Sequence, residues 1–202
     1  ALSEGWREKL QRLAPDAHVT VIENAVEGTS NESRRSTRSV CRFLTLARMD
    51  VWKGIDDLLD ACAILKRRGL PFELTLAGPA GSAGDATIID RKIADRTLDG
   101  FVRYIGPAFG EAKARLLADS DVYVQPSHQE GMPLSVLEAF AHSLPVIVTC
   151  VGAMAQVVDH EVQGLVVPAK NPAALACAMG VLAIDPPRRI AMGDAGHRLA
   201  TT

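Results

Sequence analysis

Six short apolar segments recur along this chain with helix-length stretches between them, and that alternation constrains the fold more than any other feature. The segments fall at 40–47, 72–77, 101–105, 121–125, 145–149 and 164–167. Such an alternation describes a doubly wound parallel sheet. Parallel neighbours need a crossover, and right-handed crossovers place helices on both faces. The clearest helix is 54–68, where Ile55, Leu58, Leu59, Ala61, Cys62 and Leu65 share one face and Gly69 with Pro71 stops it. Further helices are expected at 85–97, 110–119, 133–142, 154–159, 172–184 and 187–200. Aromatic residues number nine of 202 (two Trp, two Tyr, five Phe), a composition that suits buried strands under helices better than an aromatic-rich β-sandwich. The fold class read here is α/β, a Rossmann-like doubly wound parallel sheet.

Ahead of this unit, 3–13 reads as a helix capped by Ser3 and 18–22 as a short strand. Residues 27–39 contain no apolar side chain and mark a linker. The division is therefore 1–39, the end of a preceding domain with its linker, and 40–202, the main domain. Lys plus Arg number 22 against 24 Asp plus Glu, a net charge of −2 that argues against a nucleic-acid footprint. The weakly polar stretches 144–155 and 173–184 fall short of the roughly 20 residues a membrane helix needs. No signal segment opens the chain, which reads as cytoplasmic and excised from something longer. Cys41, Cys62, Cys150 and Cys177 form no C-x-x-C pair and lie in apolar runs, so four buried thiols are expected.

In a doubly wound sheet, ligands sit at the carboxyl edge where the strand order reverses. With the order 3-2-1-4-5-6, the loops after strands one and four face one crevice. The first carries Arg48 and Lys53 and ends at a helix start; the second, 126–133, carries Glu130 and ends at Pro133. Two cations beside helix N-termini suit a phosphate or diphosphate, although a solvated Arg and Lys would look the same in sequence. Glu138 lies eight residues beyond Glu130 in an otherwise apolar helix, and a carboxylate there needs hydrogen-bond donors such as sugar hydroxyls. An acid favoured by the helix dipole is the alternative.

The segment PSHQEGMPLSVLEAFA at 126–141 resembles the E-x7-E signature of the retaining GT-B glycosyltransferases, the group 1 or family four type. Arg48 with Lys53-Gly54, LAG at 76–78, YIG at 104–106, LADSDV at 117–122, LPV at 144–146 and GLVV at 164–167 fall where that family's C-terminal domain has them. The resemblance covers about residues 20–184. It implies one half of a GT-B fold and a site for a nucleotide-diphosphate sugar donor. By that analogy Arg48 and Lys53 hold the diphosphate, Glu138 accepts from ribose hydroxyls and Glu130 contacts the donor sugar, so that Glu130, Arg48 and Lys53 are the catalytic candidates. Backbone amides around Gly131, Met132 and Leu134 serve sugar and phosphate, with Pro133 in the same donor-binding stretch. The base lies against Arg103, Tyr104 and Ile105, with Gly78 nearby. No metal and no other cofactor is implied. The implied partners are the donor and a missing acceptor-binding N-terminal domain, through which any peripheral membrane contact would run; nucleic acid is not among them.

Two departures stand out. The family's glycine after the E-x7-E helix is Ser143, and its G-G-x-P-E after strand five reads Gly152-Ala153-Met154-Ala155-Gln156. The loop after strand five is therefore expected to differ. Rival readings are a non-catalytic nucleotide-binding module and a GT-B sugar-nucleotide epimerase. Asp119-Ser120-Asp121 spells D-x-D, a metal-holding triplet in other transferases, but it lies at the amino edge of strand four and is read as structural. There is no Walker lysine after Gly78, no G-x-G-x-x-G after strand one, and no nucleophile elbow around Ser127 and His128.

Overall fold

The computed structural model describes residues 4–21, 39–81, 86–131, 134–152 and 154–201. Six parallel strands, β1 (Cys41–Leu46), β2 (Phe72–Ala77), β3 (Val102–Tyr104), β4 (Val122–Gln125), β5 (Val146–Thr149) and β6 (Gly164–Val167), form one sheet in the order β3-β2-β1-β4-β5-β6. This is the order expected from the sequence. The reversal falls between β1 and β4, where Leu44 lies beside Tyr123.

The helices are α1 (Glu4–Leu13), α2 (Ile55–Arg67), α3 (Thr87–Asp95), α4 (Gly110–Asp119), α5 (Leu134–Ala141), α6 (Met154–Val157), α7 (Pro172–Ile184) and α8 (Pro186–Ala200). Strand side chains alternate between two faces, and the core divides with them. Phe43, Val122, Val124 and Ile147 point into the layer with α2, α3 and α7. Leu44, Tyr123, Val146 and Val148 point into the layer with α4 and α5. The crossovers toward β3 therefore lie on one face and those toward β6 on the other, as right-handed connections require when the chain reverses direction across the sheet.

Helix α7, apolar almost all round, packs against α2 and buries Leu175, Ala176, Met179 and Leu182, so it belongs to the core. Buried Arg189 closes its end: Nη1 donates to the carbonyls of Leu182 (2.6 Å) and Ala183 (3.1 Å), which would otherwise lack partners. Helix α8 then lies on α5, where Gly193 and Gly196 leave room for the Ser143 carbonyl and the Phe140 ring.

Two expectations change. Residues 18–21 form no strand and are exposed or half-buried; Ile22, like Ser3 and the linker residues 27–38, lies outside the described residues. Two of the four cysteines are exposed. Cys150 stands one residue past β5 and Cys177 on the outer side of α7, while Cys41 and Cys62 are buried. Burial pushes the Cys41 thiol up to about 12, against a smaller lowering by Arg189, and raises Cys62 further. Ser143 takes φ 55 at the turn that ends α5, where Ser143 N–H donates to Phe140 O and Leu144 N–H to Ala139 O. The left-handed geometry of that turn is what a glycine supplies without a Cβ penalty.

Two tests follow from these placements. A thiol reagent such as 5,5′-dithiobis(2-nitrobenzoate) should titrate two thiols in the native protein and four after unfolding; more than two reactive native thiols would contradict the buried pair. Ser143→Gly should raise the unfolding free energy by about 0.5–1 kcal/mol, the left-handed penalty less glycine's extra chain entropy. Urea denaturation measures it, and a lower midpoint would show that the serine's own contacts outweigh the strain.

Candidate functional site

Three glycines let the carboxyl-edge loops touch. A Cβ on Gly78 (φ +146) would stand 1.9 Å from Ala47 O, one on Gly54 (φ +66) 2.0 Å from Pro126 O, and one on Gly152 (φ +57) 1.9 Å from Glu130 O. The loops after β1, β2, β4 and β5 are thereby held in backbone contact. His128 adds to this: its N–H donates to Trp52 O (2.7 Å) and its Nε2 lies 2.7 Å from Asp57 Oδ2 at the start of α2.

At the centre is Glu130, with a side chain only 8% exposed. Its Oε1 accepts from Lys53 Nζ (2.6 Å), Gln125 Nε2 (2.6 Å) and Ser127 Oγ (2.7 Å). The lysine comes from the loop after β1 and the other two donors from β4 and its loop. Gln125 is oriented in turn, since its Oε1 accepts from Tyr123 Oη (2.9 Å) and Ser135 Oγ (2.8 Å). A buried carboxylate is tolerated only with such donors. Glu138, one helical segment further on, receives Lys113 Nζ on Oε1 at 2.5 Å. Arg48 is 64% exposed and pairs with Asp50 at 2.7 Å.

Arg48, Lys53, Gly78, Glu130, Leu134 and Glu138 all line one cleft of about 370 Å³ between the loops after β1, β2, β3 and β4, a volume in the range of small-molecule sites. The structure therefore brings six of the sequence-derived residues together. Gly131 follows Glu130 directly but is not among the cleft's lining residues, and Met132 and Pro133 lie outside the described residues. Arg103, Tyr104 and Ile105 stand apart from the cleft lining. Arg103 Nε donates to Thr75 Oγ1 (2.9 Å), Tyr104 Oη donates to Gly78 O (2.8 Å), and Ile105 is exposed. The wall contributed after β3 is instead Ala108, Phe109 and Lys113.

Sequence reasoning missed Lys113, Phe109, Gln125 and Ser135. The start of α2 is also less open to an anion than expected, because Asp57 there engages His128 while Asp56 pairs with Lys92 (2.7 Å) and Arg96. The D-x-D triplet does lie at the amino edge: Asp121 Oδ2 accepts from the Arg42 N–H (2.8 Å), and no cluster of three metal-ligating side chains occurs among the described residues. No described helix is long and apolar enough to cross a membrane.

Gly152→Ala should unfold at lower urea, by about 1–3 kcal/mol, because a Cβ at positive φ would overlap the Glu130 carbonyl. An unchanged midpoint would mean that the loops after β4 and β5 are not locked together.

Comparisons with known proteins bear on this site. The family profile described as Glycosyl transferases group 1 matches residues 41–185. The amylovoran biosynthesis glycosyltransferase AmsK of Erwinia amylovora is 29% identical over 188 residues, covering 88% of this chain and 45% of that protein. The chain thus spans about half the length of the curated relatives it matches. Among solved structures, the C-terminal domain of a glycosyl transferase group 1 family protein from Francisella tularensis superposes with a TM-score of 0.70 at 24% identity, over 80% of this chain and 84% of that one. The Anabaena protein HepE in complex with UDP-glucose superposes with a TM-score of 0.75 at 21% identity, over 90% of this chain and 52% of that one. At these identities the two structures share the fold.

Proposed function

This chain belongs to the group 1 GT-B glycosyltransferases, and from that premise we propose that it is the donor-binding half of a retaining transferase that moves a sugar from a nucleoside-diphosphate sugar to a glycan or lipid-linked acceptor. One observation carries the reading: Arg48, Lys53, Glu130 and Glu138, drawn from two loops and a helix, line a single cleft at the switch point of the sheet. A fold relative was crystallised with UDP-glucose, which supports a donor of this chemical class.

In this reading Arg48 and Lys53 meet the diphosphate, and Glu138 accepts from the ribose. Glu130 keeps Oε1 on its three protein donors and offers its second oxygen to a donor-sugar hydroxyl. Amides at Gly131, Met132 and Leu134 complete the sugar and phosphate contacts. The base lies on the wall after β3. As the glycosidic bond breaks, negative charge grows on the departing diphosphate, and fixed cations stabilise it more than they stabilise the ground state. No metal enters this scheme. Residues 40–202 form the donor domain and 1–39 the end of the preceding domain with its linker. The acceptor site, and any contact with the inner face of a membrane, belong to the other half of the relatives' length, so the chain alone turns over little.

Titration calorimetry with UDP, GDP and ADP, with and without EDTA, tests the reading. One of them should bind independently of metal. Arg48→Ala and Glu138→Ala should each weaken it by about 1.5–3 kcal/mol, the range for charge-assisted hydrogen bonds, while Asp119→Ala leaves it unchanged. Folded protein that binds none of the three, or binds only with added metal, would defeat the proposal.

A further inference from the structure

The two carboxylates of the cleft are gripped in parallel ways, each through Oε1 and each by a lysine from a different loop region. Lys53 takes Glu130, and Lys113, in the first turn of α4, takes Glu138 at 2.5 Å. The supports differ. Glu130 has two further donors and is nearly buried, whereas Lys113 is the only side-chain donor recorded on the Glu138 carboxylate among the described residues, and the pair is 32% and 24% exposed. A solvent-touching pair of this kind adds little to stability, typically under about 1 kcal/mol. Its consequence is geometric: it selects one orientation of a flexible side chain and leaves Oε2 as the remaining acceptor facing ligand or water.

We propose that Lys113 is a positioning residue that holds Glu138 by Oε1 so that its carboxylate discriminates ribose from 2′-deoxyribose in the bound nucleotide. The proposal rests on the reading that Glu138 accepts from ribose hydroxyls. It assigns to α4 a part in sugar recognition, since Lys113 and Glu138 are 25 residues apart and meet only because α4 and α5 lie side by side on one face of the sheet. Lys113 touches no reacting atom in this scheme; it acts through Glu138.

The test compares the tightest-binding of UDP, GDP and ADP with its 2′-deoxy counterpart, by calorimetry on the 202-residue chain. The unaltered protein should prefer the ribonucleotide by about tenfold, the worth of one hydrogen bond to a charged group. Lys113→Met should lower that preference to about threefold or less with little change in the thermal midpoint, Lys113→Arg should retain it, and Lys113→Met with Glu138→Gln should be no less selective than Glu138→Gln alone. If Lys113→Met weakens ribo and deoxy forms equally, Lys113 is a phosphate cation and the proposal falls. If it tightens both, Lys113 is a competitor of the ligand and the proposal falls equally. Should the unaltered protein bind both forms alike, with Glu138→Gln changing neither, the ribose reading of Glu138 itself is wrong.

Discussion

The rest of the carboxyl edge is arranged around one buried oxygen, Glu130 Oε1, and the three donors that meet it. A carboxylate 8% exposed would cost several kcal/mol if left unpaired. Its donors come from the loop after β1 and from β4 with its own loop, so the charge is satisfied only when β1 and β4 are neighbours and their loops converge. Gly54 permits that convergence by letting its backbone approach Pro126 O where a Cβ would collide, and Gly152 likewise brings the loop after β5 against Glu130 O. Gln125 cannot donate to Glu130 with its amide reversed, and Tyr123 and Ser135 prevent the reversal by donating to its Oε1. The network thus reaches from the buried Tyr123 hydroxyl in the second core layer to the cleft surface, tying core packing to the geometry of the site.

Much of this was legible in the sequence, and for a physical reason. Strand and helix periods are local, and a parallel sheet built through right-handed crossovers leaves few ways to order the strands; under the order 3-2-1-4-5-6 the switch point falls between β1 and β4. The residues just past those strands, Arg48, Lys53 and Glu130, could be placed at the cleft without knowing any contact. What escaped was set by long-range neighbours. Lys113 lies eight residues beyond the last residue named after strand three, on the first turn of a helix whose facing side no local period indicates. The cysteines show the same limit: an apolar run around Cys177 does not tell which side of α7 is covered, and α7 leaves that side open. The short β-branched stretch at 18–21 has strand propensity and yet forms no strand, because propensity alone does not make one.

Ser143 illustrates how a departure from a family pattern becomes physical. The turn after α5 keeps its left-handed residue although the glycine that suits it is gone, because the two backbone hydrogen bonds closing the helix, and the approach of Gly193 to the Ser143 carbonyl, hold the turn in place. The altered loop after β5 differs in kind. Gly152 stands at the one position where a side chain would strike Glu130, so the part of that loop which touches the site depends on a glycine that this chain has.

The three cations lining the cleft are each already paired, Arg48 with Asp50 outside the lining, Lys53 with Glu130 and Lys113 with Glu138. A diphosphate must then draw on cations already engaged, and the three are not equally available. Arg48 is mostly exposed, and Asp50, itself only 9% exposed, keeps the Trp52 N–H as a second donor, so Arg48 can turn to a ligand while Asp50 stays hydrogen-bonded. Lys53, itself 25% exposed, is held against the least exposed carboxylate of the three, and its departure would leave Glu130 only the neutral donors Gln125 and Ser127 among the described residues. Such a fixed cation is poorly suited to capturing a ligand but well suited to stabilising charge that develops during reaction, since it needs no reorganisation when that charge appears. On the proposed function the two basic residues of the first loop therefore divide the work: Arg48 supplies affinity for the donor, and Lys53 supplies preorganised field at the departing phosphate. Removing Lys53 would also unpair Glu130, as removing Arg48 would unpair Asp50, so each substitution carries a structural effect beside its effect on anion binding.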